Sequence, residues 1–323
     1  MSSVLPIEVV VDDDAAGAVL SVLRKVIEGS SWKDVRRLLN TRRVSLNGVL
    51  CLDEGRKVAA GEVIQVHVDS LPVPPSDKDV VIRWLDQSLV VVEKPSGMLT
   101  LRRSTEKNWR PQRKLLQPTL DECVARLVDA KYVRSRSESD SELHSVHRID
   151  RDTSGLLVFA RNENVQYKLI EQFAAHDAVR RYLSLIPGSI EDQSVRSCFI
   201  RDRGDGLRGS SPDGRTGQHA VTHFRTLRSL GALSELECSL ETGRTNQIRI
   251  HLAELGHPVC GDIKYRGPMG SEPVKDESGV PRLALHATQL RFVHPVTGEL
   301  LHFESPWPMD MQRFLNRIPS VST

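Results

Sequence analysis

The chain has 323 residues, of which 39% are hydrophobic and 27% are charged, a composition typical of a globular protein with one or two domains. No apolar run approaches the roughly 20 residues that a membrane helix requires, so a membrane-spanning protein is excluded. The net charge of +2 is too small to identify a binding partner by itself.

The N-terminus and the cysteines indicate the compartment. The segment MSSVLPIEVVVDDDAAG lacks the basic and apolar regions of a secretory signal, so a cytoplasmic protein is expected. The cysteines are scattered and form no CxxC pair, which favours reduced core thiols over disulfides (Cys51, Cys123, Cys198, Cys238 and Cys260).

The first part of the chain predicts a small module of two helices followed by tight hairpins. Apolar residues recur at helical spacing between residues 16 and 40, with a break at EGSSW. Asn47-Gly48 predicts a two-residue hairpin turn, and Gly61 predicts a turn into an alternating strand. The segment DSLPVPPSDKD contains three prolines and predicts a linker. We therefore place a first domain at 1–72, with its core at 16–68, a linker at 73–79 and a second domain at 80–316.

The second part predicts strands mostly joined by hairpins, with helices between them. Helices are predicted at about 120–131 and over NENVQYKLIEQFAAH, and a polar loop at 134–142. Strands are predicted in VVIRWLDQSLVVVEKP, VRRYLSLIPG, HAVTHFRTL, SELECSLE and LHATQLRFVHP. This arrangement indicates an α+β fold on a mixed, mainly antiparallel sheet, not a doubly wound parallel sheet.

A basic segment interrupts the second part between Leu101 and Gln117. It holds a single acid, Glu106, and fits a solvated loop as well as a phosphate-binding one. Its basic residues are Arg102, Arg103, Lys107, Arg110, Arg113 and Lys114.

The stretch HRIDRDTSG, which directly precedes the apolar run LLVFA, is the first candidate site. A polar loop at the end of a buried strand can present a carboxylate to a cleft while its backbone stays fixed. The same residues would also suit a loop in which each aspartate pairs with a neighbouring arginine.

The second candidate site is ETGRTNQIRIHLAELGHPVCGDIKYRG, residues 241–267. Ile248, Ile250 and Leu252 alternate, so Arg249 is expected to point away from their apolar face, where it could form a bidentate pair with a carboxylate. A metal site could be imagined from His251, His257, Cys260 and Asp262, but their spacing matches no standard zinc pattern. Ser154 lies outside a G-x-S-x-G elbow, which disfavours a serine hydrolase.

Together these motifs resemble those of the RluA-type pseudouridine synthases. The resemblance rests on HRIDRDTSGLLVFARN and TGRTNQIRIHLAELGHPVCGDIKY, with further matches in LVVVEKPSGM, VRRYLSLIPG, GQHAVTHFRTL and LALHATQLRFVHPVTGELLHFESPWP, and it covers about residues 80–316. The earlier stretch VRRLLNTRRVSLNGVLCLDEGRKVAAGEVIQV resembles a small α/β RNA-binding domain, the S-four-like fold. The chain departs from the family pattern at Asn246, usually His, and at Arg180, usually Lys.

The resemblance implies an enzyme that isomerises uridines in structured RNA, with ribosomal RNA the expected substrate. Asp150 would act on the ribose, as a nucleophile or as the base that starts elimination. Arg249 would pair with Asp150, keeping it ionised and oriented, and Tyr182 would pack on the target base. For Tyr182, the alternative is a core tyrosine.

Further residues are assigned to RNA contact by the same resemblance. Arg148 would fill the gap left by the flipped uridine, whereas Arg151 and Asp152 would fix the loop and Gly155 would admit close backbone approach. The expected substrate-side residues are His147, Arg148, Arg151, Gly155, Arg244 and Gln247. A basic face of the first domain would bind phosphates through Lys33, Arg36, Arg37, Arg42 and Arg43.

No cofactor and no metal are expected, and the protein is expected to act as a monomer. The main alternative is an RNA-binding or ribosome-assembly factor that keeps the fold without catalysis. The presence of Asp150, Tyr182 and Arg249 together favours the enzyme.

Overall fold

The structure is a computed structural model that describes residues 6–132 and 143–318. The polar loop predicted at 134–142 lies outside these residues. The chain divides into two compact units. One is formed by residues up to 74 together with 105–118, and the other by residues 75–104 and the chain from 119 onward. The segment 105–118, predicted within the 80–316 domain, therefore groups with the first unit.

The first unit is built from short strands and helices. Its elements are β1 (Ile7–Val10), β2 (Gly17–Ala18), α1 (Val19–Val26), α2 (Trp32–Asn40), β3 (Val44–Leu46), β4 (Val49–Leu50), β5 (Lys57–Val58), β6 (Val63–Val66) and α3 (Pro111–Leu116). Four strands form an antiparallel sheet in the order β1-β6-β3-β4, and β2 pairs with β5.

Local sequence explains the boundaries of these elements. Ser31 and Asp34 form a capping box that starts α2. Asn47 and Gly48 have φ angles of 49° and 74°, which suit the turn between β3 and β4. The two predicted helices and this hairpin are confirmed. In the segment 105–118, the Gln117 side-chain amide donates to the Leu50 carbonyl over 3.0 Å.

The second unit is built around an 11-stranded sheet. Its strands are β7 (Val81–Leu85), β8 (Leu89–Lys94), β9 (His144–Ser145), β10 (Ser154–Ala160), β11 (Val179–Pro187), β12 (Gln193–Ile200), β13 (Gly209–Ser210), β14 (Gln218–Leu230), β15 (Leu233–Leu240), β16 (Leu285–Val293) and β17 (Leu300–Glu304). Its helices are α4 (Leu120–Tyr132), α5 (Glu163–Ala174), α6 (Gln247–Glu254) and α7 (Met309–Leu315).

The order of these strands confirms an α+β fold with a mixed sheet. The order is β13-β12-β14-β15-β11-β16-β10-β8-β7, with β17 on β16 and β9 on β10. Within the described residues, β10 and β16 form the single parallel pair, and all other neighbours are antiparallel.

Strand β10 explains why LLVFA is apolar at every position. Leu157 and Phe159 lie in one cluster with residues of α4, whereas Leu156 and Val158 lie in another with residues of α5. Both faces of the strand are therefore buried, and each such side chain contributes about 1.5–3 kcal/mol of burial free energy. Of the helices in the described ranges, none is both long and apolar enough to cross a bilayer.

Candidate active site

The loop between His147 and Gly155 is held by hydrogen bonds from the segment that follows β8. Thr100 Oγ1 donates to the Ile149 carbonyl over 2.8 Å, and Ser96 Oγ donates to the Asp152 carbonyl over 2.7 Å. These contacts fix the backbone on both sides of Asp150, so the carboxylate has a defined position.

Lys94, the last residue of β8, holds the same loop from inside. Its Nζ donates to three backbone carbonyls, those of Pro95, Met98 and Arg151, each over 2.8 Å. Only 1% of this residue is exposed. Burial lowers the pKa of Lys94 to about 7, against the opposing effect of the charges on Asp152 and Asp150. Lys94 therefore ties the loop between His147 and Gly155 to the end of β8.

Arg249 comes from helix α6, which corrects the expectation drawn from alternating isoleucines. Gln247 to Ala253 are all buried, so this stretch of the helix has no solvent-exposed face toward which Arg249 could point. The guanidinium lies over the Tyr265 ring, 5.1 Å from its centroid. The helix thus fixes Arg249 in the interior, next to the loop that contains Asp150.

The bidentate partner of Arg249 is Asp262. Nε donates to Asp262 Oδ2 over 2.6 Å and Nη2 donates to Oδ1 over 2.9 Å. The remaining nitrogen, Nη1, lies 3.7 Å from Asp150 Oδ2, close enough for an ion pair but too far for a hydrogen bond. Charge attraction, not hydrogen bonding, therefore links Arg249 to Asp150, which corrects the expected mode of pairing.

The environment of Asp150 shifts its pKa upward from the ordinary value for an aspartate. Burial raises the pKa of Asp150, and the charges of Arg249, Arg148 and Lys94 offset this only in part. The side chain is 18% exposed, so solvent reaches it from one side. Asp150 thus has a higher pKa than an ordinary aspartate, and a ligand can approach its carboxyl group.

Asn246 supports Arg249 from the start of α6. Its Oδ1 accepts from Arg249 Nη1 over 3.0 Å, and its Nδ2 donates to the Tyr265 hydroxyl over 3.1 Å. The residue adopts a left-handed conformation with φ of 60°, which asparagine tolerates well. Asn246 therefore helps to hold the Arg249 guanidinium in place.

Asp150 and Tyr182 line one cavity of about 520 Å³. Tyr182 is 6% exposed, and burial raises its pKa to about 12, with Asp150 adding to that rise and Arg180 opposing it. Its hydroxyl is therefore protonated at neutral pH. The structure thus brings the two residues to one site, although Tyr182 also belongs to the hydrophobic core.

The other predicted substrate-side residues divide into two groups. His147, Arg148, Arg244 and Gln247 line the cavity, whereas Arg151 and Gly155 do not. Arg151 pairs with Asp152 at 3.1 Å. Gly155 lies in β10, and its backbone abuts Ala287 of β16, so the close approach there is made by the protein's own chain.

Two of the cavity residues have their polar atoms engaged within the protein. Gln247 donates to the Val221 carbonyl and accepts from Thr242 Oγ1. His147 Nε2 accepts from the Val158 backbone N–H over 3.3 Å, and the His147 ring stacks on Phe173 at 4.7 Å. Burial, assisted by the charge of Arg180, lowers the pKa of His147 to about 3. Both residues shape the wall, whereas Arg148 is exposed and free to reach a ligand.

Three residues of this site were not predicted as part of it. Lys94 and Thr100 lie in or beside the quoted LVVVEKPSGM, and Asp262 lies in VCGDIKY, where it was considered only as a metal ligand. A lysine inside an apolar strand is the signal that could have found Lys94. Within residues 6–132 and 143–318, no group of three or more His, Cys, Asp and Glu side chains could hold a metal ion.

The basic residues predicted to bind RNA lie in the first unit. Lys33, Arg36 and Arg37 are exposed on α2, and Arg36 pairs with Glu54 at 3.2 Å. Arg42 and Arg43 are half-buried, and Arg42 Nε donates to the Leu71 carbonyl over 2.9 Å. Lys33 and Arg37 are therefore the members best placed to meet a ligand.

Comparison with known proteins identifies the family. Residues 88–254 match the model described as RNA pseudouridylate synthase. The chain belongs to this family. The RluA-type resemblance is thereby confirmed, and the protein is an isomerase that acts on RNA.

Individual pseudouridine synthases match over most of their length. The chain is 32% identical to a protein of Xanthomonas campestris named ribosomal large subunit pseudouridine synthase D, over 96% of this chain and 92% of that one. A protein of the same name from Zymomonas mobilis is 33% identical over 90% of each chain. The solved structure of human RNA pseudouridylate synthase domain containing 4 superposes with a TM-score of 0.56 and 23% identity, over 74% of this chain and 92% of that one, and shows the fold.

Proposed function

We propose that this pseudouridine synthase modifies large-subunit ribosomal RNA and that Asp150 is its reactive carboxylate. The observation that carries the residue assignment is the difference between the two aspartates near Arg249. Asp262 accepts two hydrogen bonds from Arg249, whereas Asp150 lines the cavity together with Tyr182. The names of the relatives from Xanthomonas campestris and Zymomonas mobilis support the choice of RNA.

In this reaction the bond between ribose C1′ and uracil N1 breaks, the base turns, and C1′ bonds to C5. The proton leaves C5 and N1 gains one, so nothing is added and no cofactor is consumed. Asp150 acts on the sugar, either by attack on C1′ or by removing the proton from C2′. Both routes start from the ionised carboxylate.

The residues around Asp150 receive matching roles in this proposal. Arg249 and Asp262 form a rigid support, Tyr182 packs on the uracil ring, and Arg148 fills the stack that the flipped nucleotide leaves. Flipping costs on the order of a few kcal/mol, which contacts of this kind offset.

The test uses wild-type protein and the Asp150→Asn variant on transcribed large-subunit ribosomal RNA. Pseudouridine should form at one or a few sites with the wild type and at none with the variant. Mapping cellular RNA with and without the gene should find the same sites missing. A wild-type protein that binds the RNA but forms no pseudouridine would establish the alternative, an assembly factor without catalysis.

For the first unit, which also includes 105–118, we propose an RNA-anchoring role. Its main part is the domain predicted at about residues 1–72, which a linker at 73–79 joins to the catalytic domain predicted at 80–316. Lys33 and Arg37 would neutralise phosphates, and the protein would work as a cytoplasmic monomer. The variant Lys33→Ala/Arg37→Ala should bind long RNA more weakly, with a flatter dependence on salt. Unchanged affinity and salt slope would show that these residues form only a solvated face.

A further inference from the structure

Arg180 is a charged residue of the catalytic cavity that the reaction described above leaves without a role. It lies two residues before Tyr182 on β11, and both residues line the cavity. Arg181, between them, does not line it and pairs with Glu237 at 3.3 Å. The strand therefore directs one arginine into the site and gives the next one a carboxylate on the sheet surface.

The guanidinium of Arg180 is held in place, and it has no counter-ion among residues 6–132 and 143–318. It lies over the Phe173 ring at 5.1 Å from the centroid, and Nη2 makes a long hydrogen bond of 3.4 Å to the Glu241 carbonyl. Nε is buried and has no acceptor among the described residues. Burial lowers the pKa of Arg180 and Tyr182 opposes this shift, whereas no carboxylate in the described part of the chain contributes to it.

Arg180 is half-buried. A cation that loses part of its water in this way and gains no opposite charge destabilises a folded protein. Its presence is explained when a ligand supplies that charge. Arg148 and Arg244 also line the cavity. Of the two acidic residues in the lining, Glu241 accepts from His223 over 2.8 Å and Asp150 lies beside Arg249, so the charge near Arg180 stays positive.

We propose that Arg180 forms a phosphate subsite inside the catalytic cavity and binds a phosphodiester group next to the target uridine. The proposal rests on the proposed function and adds a positioning contact to it. A guanidinium suits this task because its planar set of N–H donors matches two phosphate oxygens at once. The contact with Phe173 and the hydrogen bond to the Glu241 carbonyl hold the guanidinium in place before the RNA arrives, which reduces the entropy lost on binding.

The experiment compares Arg180→Gln and Arg180→Lys with wild type, and uses Arg181→Gln as the matched control from the adjacent position. Substrates are RNA oligonucleotides containing the mapped target uridine, either all-phosphate or with a single neutral methylphosphonate linkage on one side of it. Arg180→Gln should raise KM about tenfold with a smaller effect on kcat, and should lower the slope of log K against log salt by about 0.7.

Three further readouts separate a phosphate contact from a structural role. Arg180→Lys should recover most of the affinity, because it restores the charge. The melting temperature of Arg180→Gln should equal or exceed that of wild type, because a half-buried charge without a carboxylate partner is removed. One methylphosphonate position should weaken the wild type about as much as Arg180→Gln does, and should add little to the effect of that variant.

The inference is overturned if Arg180→Gln keeps the wild-type KM and salt slope, or if its effect and that of the neutral linkage are fully additive. It is also overturned if Arg181→Gln has the same effect, since that would reflect general charge. In each of these cases an active wild type and an inactive Asp150→Asn still support the proposed function. A wild type that forms no pseudouridine would overturn both.

Discussion

Two loops each bring an aspartate to Arg249, one containing Asp150 and the other containing Asp262. The two backbones are held in a comparable way. Gly155 has φ of 115°, Gly261 has φ of 78°, and a Cβ atom at either position would lie 2.3 Å from a backbone carbonyl oxygen. Each loop is thus anchored where only glycine allows the chain to approach so closely.

The two carboxylates differ in their hydrogen bonds and exposure, although the two backbones are held in a comparable way. Asp262 accepts from two nitrogens of Arg249 and from the backbone N–H groups of Lys264 and Tyr265, and its side chain is fully buried. Asp150 is partly open to the cavity and, within the described residues, no donor is within hydrogen-bond distance of its carboxylate. A carboxylate whose oxygens all accept hydrogen bonds from the protein has a structural role, whereas one that is held in place without such donors is available for chemistry.

The sharpest test of this contrast is Asp150→Asn. The amide has nearly the same shape but no charge, so we expect pseudouridine formation to fall by more than about 10³-fold. RNA affinity and melting temperature should stay close to those of wild type. Single-turnover assays and filter binding measure the two effects. Retention of even a tenth of the wild-type rate would remove Asp150 from the chemistry.

Asp262→Asn should act first on stability. It removes the hydrogen-bonded charge partner of a buried arginine, and we expect the free energy of unfolding to drop by about 3–5 kcal/mol. Denaturant unfolding followed by circular dichroism measures this drop. The control is Glu277→Gln, which removes an exposed pair with Lys275 and should have no measurable effect. If Asp262→Asn unfolds like wild type yet loses all activity, the roles of the two aspartates are reversed.

Gly155→Ala tests whether the loop position matters as much as the carboxylate. The added methyl group would meet the Ala287 carbonyl and force an unfavourable φ, so we expect a loss of about 3 kcal/mol together with reduced turnover. Gly206→Ala is the matched control, since Gly206 has φ of 75° with open space around it and carries the backbone strain alone. Equal losses in the two variants would show that the contact with β16 contributes nothing.

The mildest test is the pH profile of kcat/KM. Because burial raises the pKa of Asp150 above the ordinary 3.8, the ionised fraction is lost at a higher pH than for an exposed aspartate. Activity should therefore fall as pH decreases through this raised pKa, approaching tenfold per pH unit. Arg148→Gln removes a charge that opposes the rise, so its acidic limb should lie at higher pH. An identical limb in both proteins would contradict this electrostatic account.

Much of the fold could be predicted because the signals were local. The helices α1, α2, α4 and α5 and the turn at Asn47-Gly48 follow from apolar spacing and turn residues. Strands β1, β2, β9, β12, β13 and β17 were not predicted. β12 and β17 carry polar or charged residues at most exposed positions and have few buried ones, so their apolar alternation is weak.

The site could be predicted only in part for a physical reason. The motif HRID pointed to Asp150, but three alternating apolar residues cannot separate a strand from a helix buried on every side, and α6 is such a helix. The partner of Arg249 lies 13 residues further along the chain, beyond the reach of helical or strand periodicity. Which of two aspartates receives the hydrogen bonds depends on tertiary packing.

The placement of β16 has a consequence for the order in which the protein can assemble. This strand lies between β10 and β11 in the sheet but follows both in the chain. During synthesis, the edges of β10 and β11 that pair with β16 therefore stay unpaired until residues 285–293 emerge. Unpaired strand edges are sites of aggregation and proteolysis. Because Leu285 lines the cavity and Ala287 lies against Gly155, we expect the loop between His147 and Gly155 to reach its final form only at this late, non-local step.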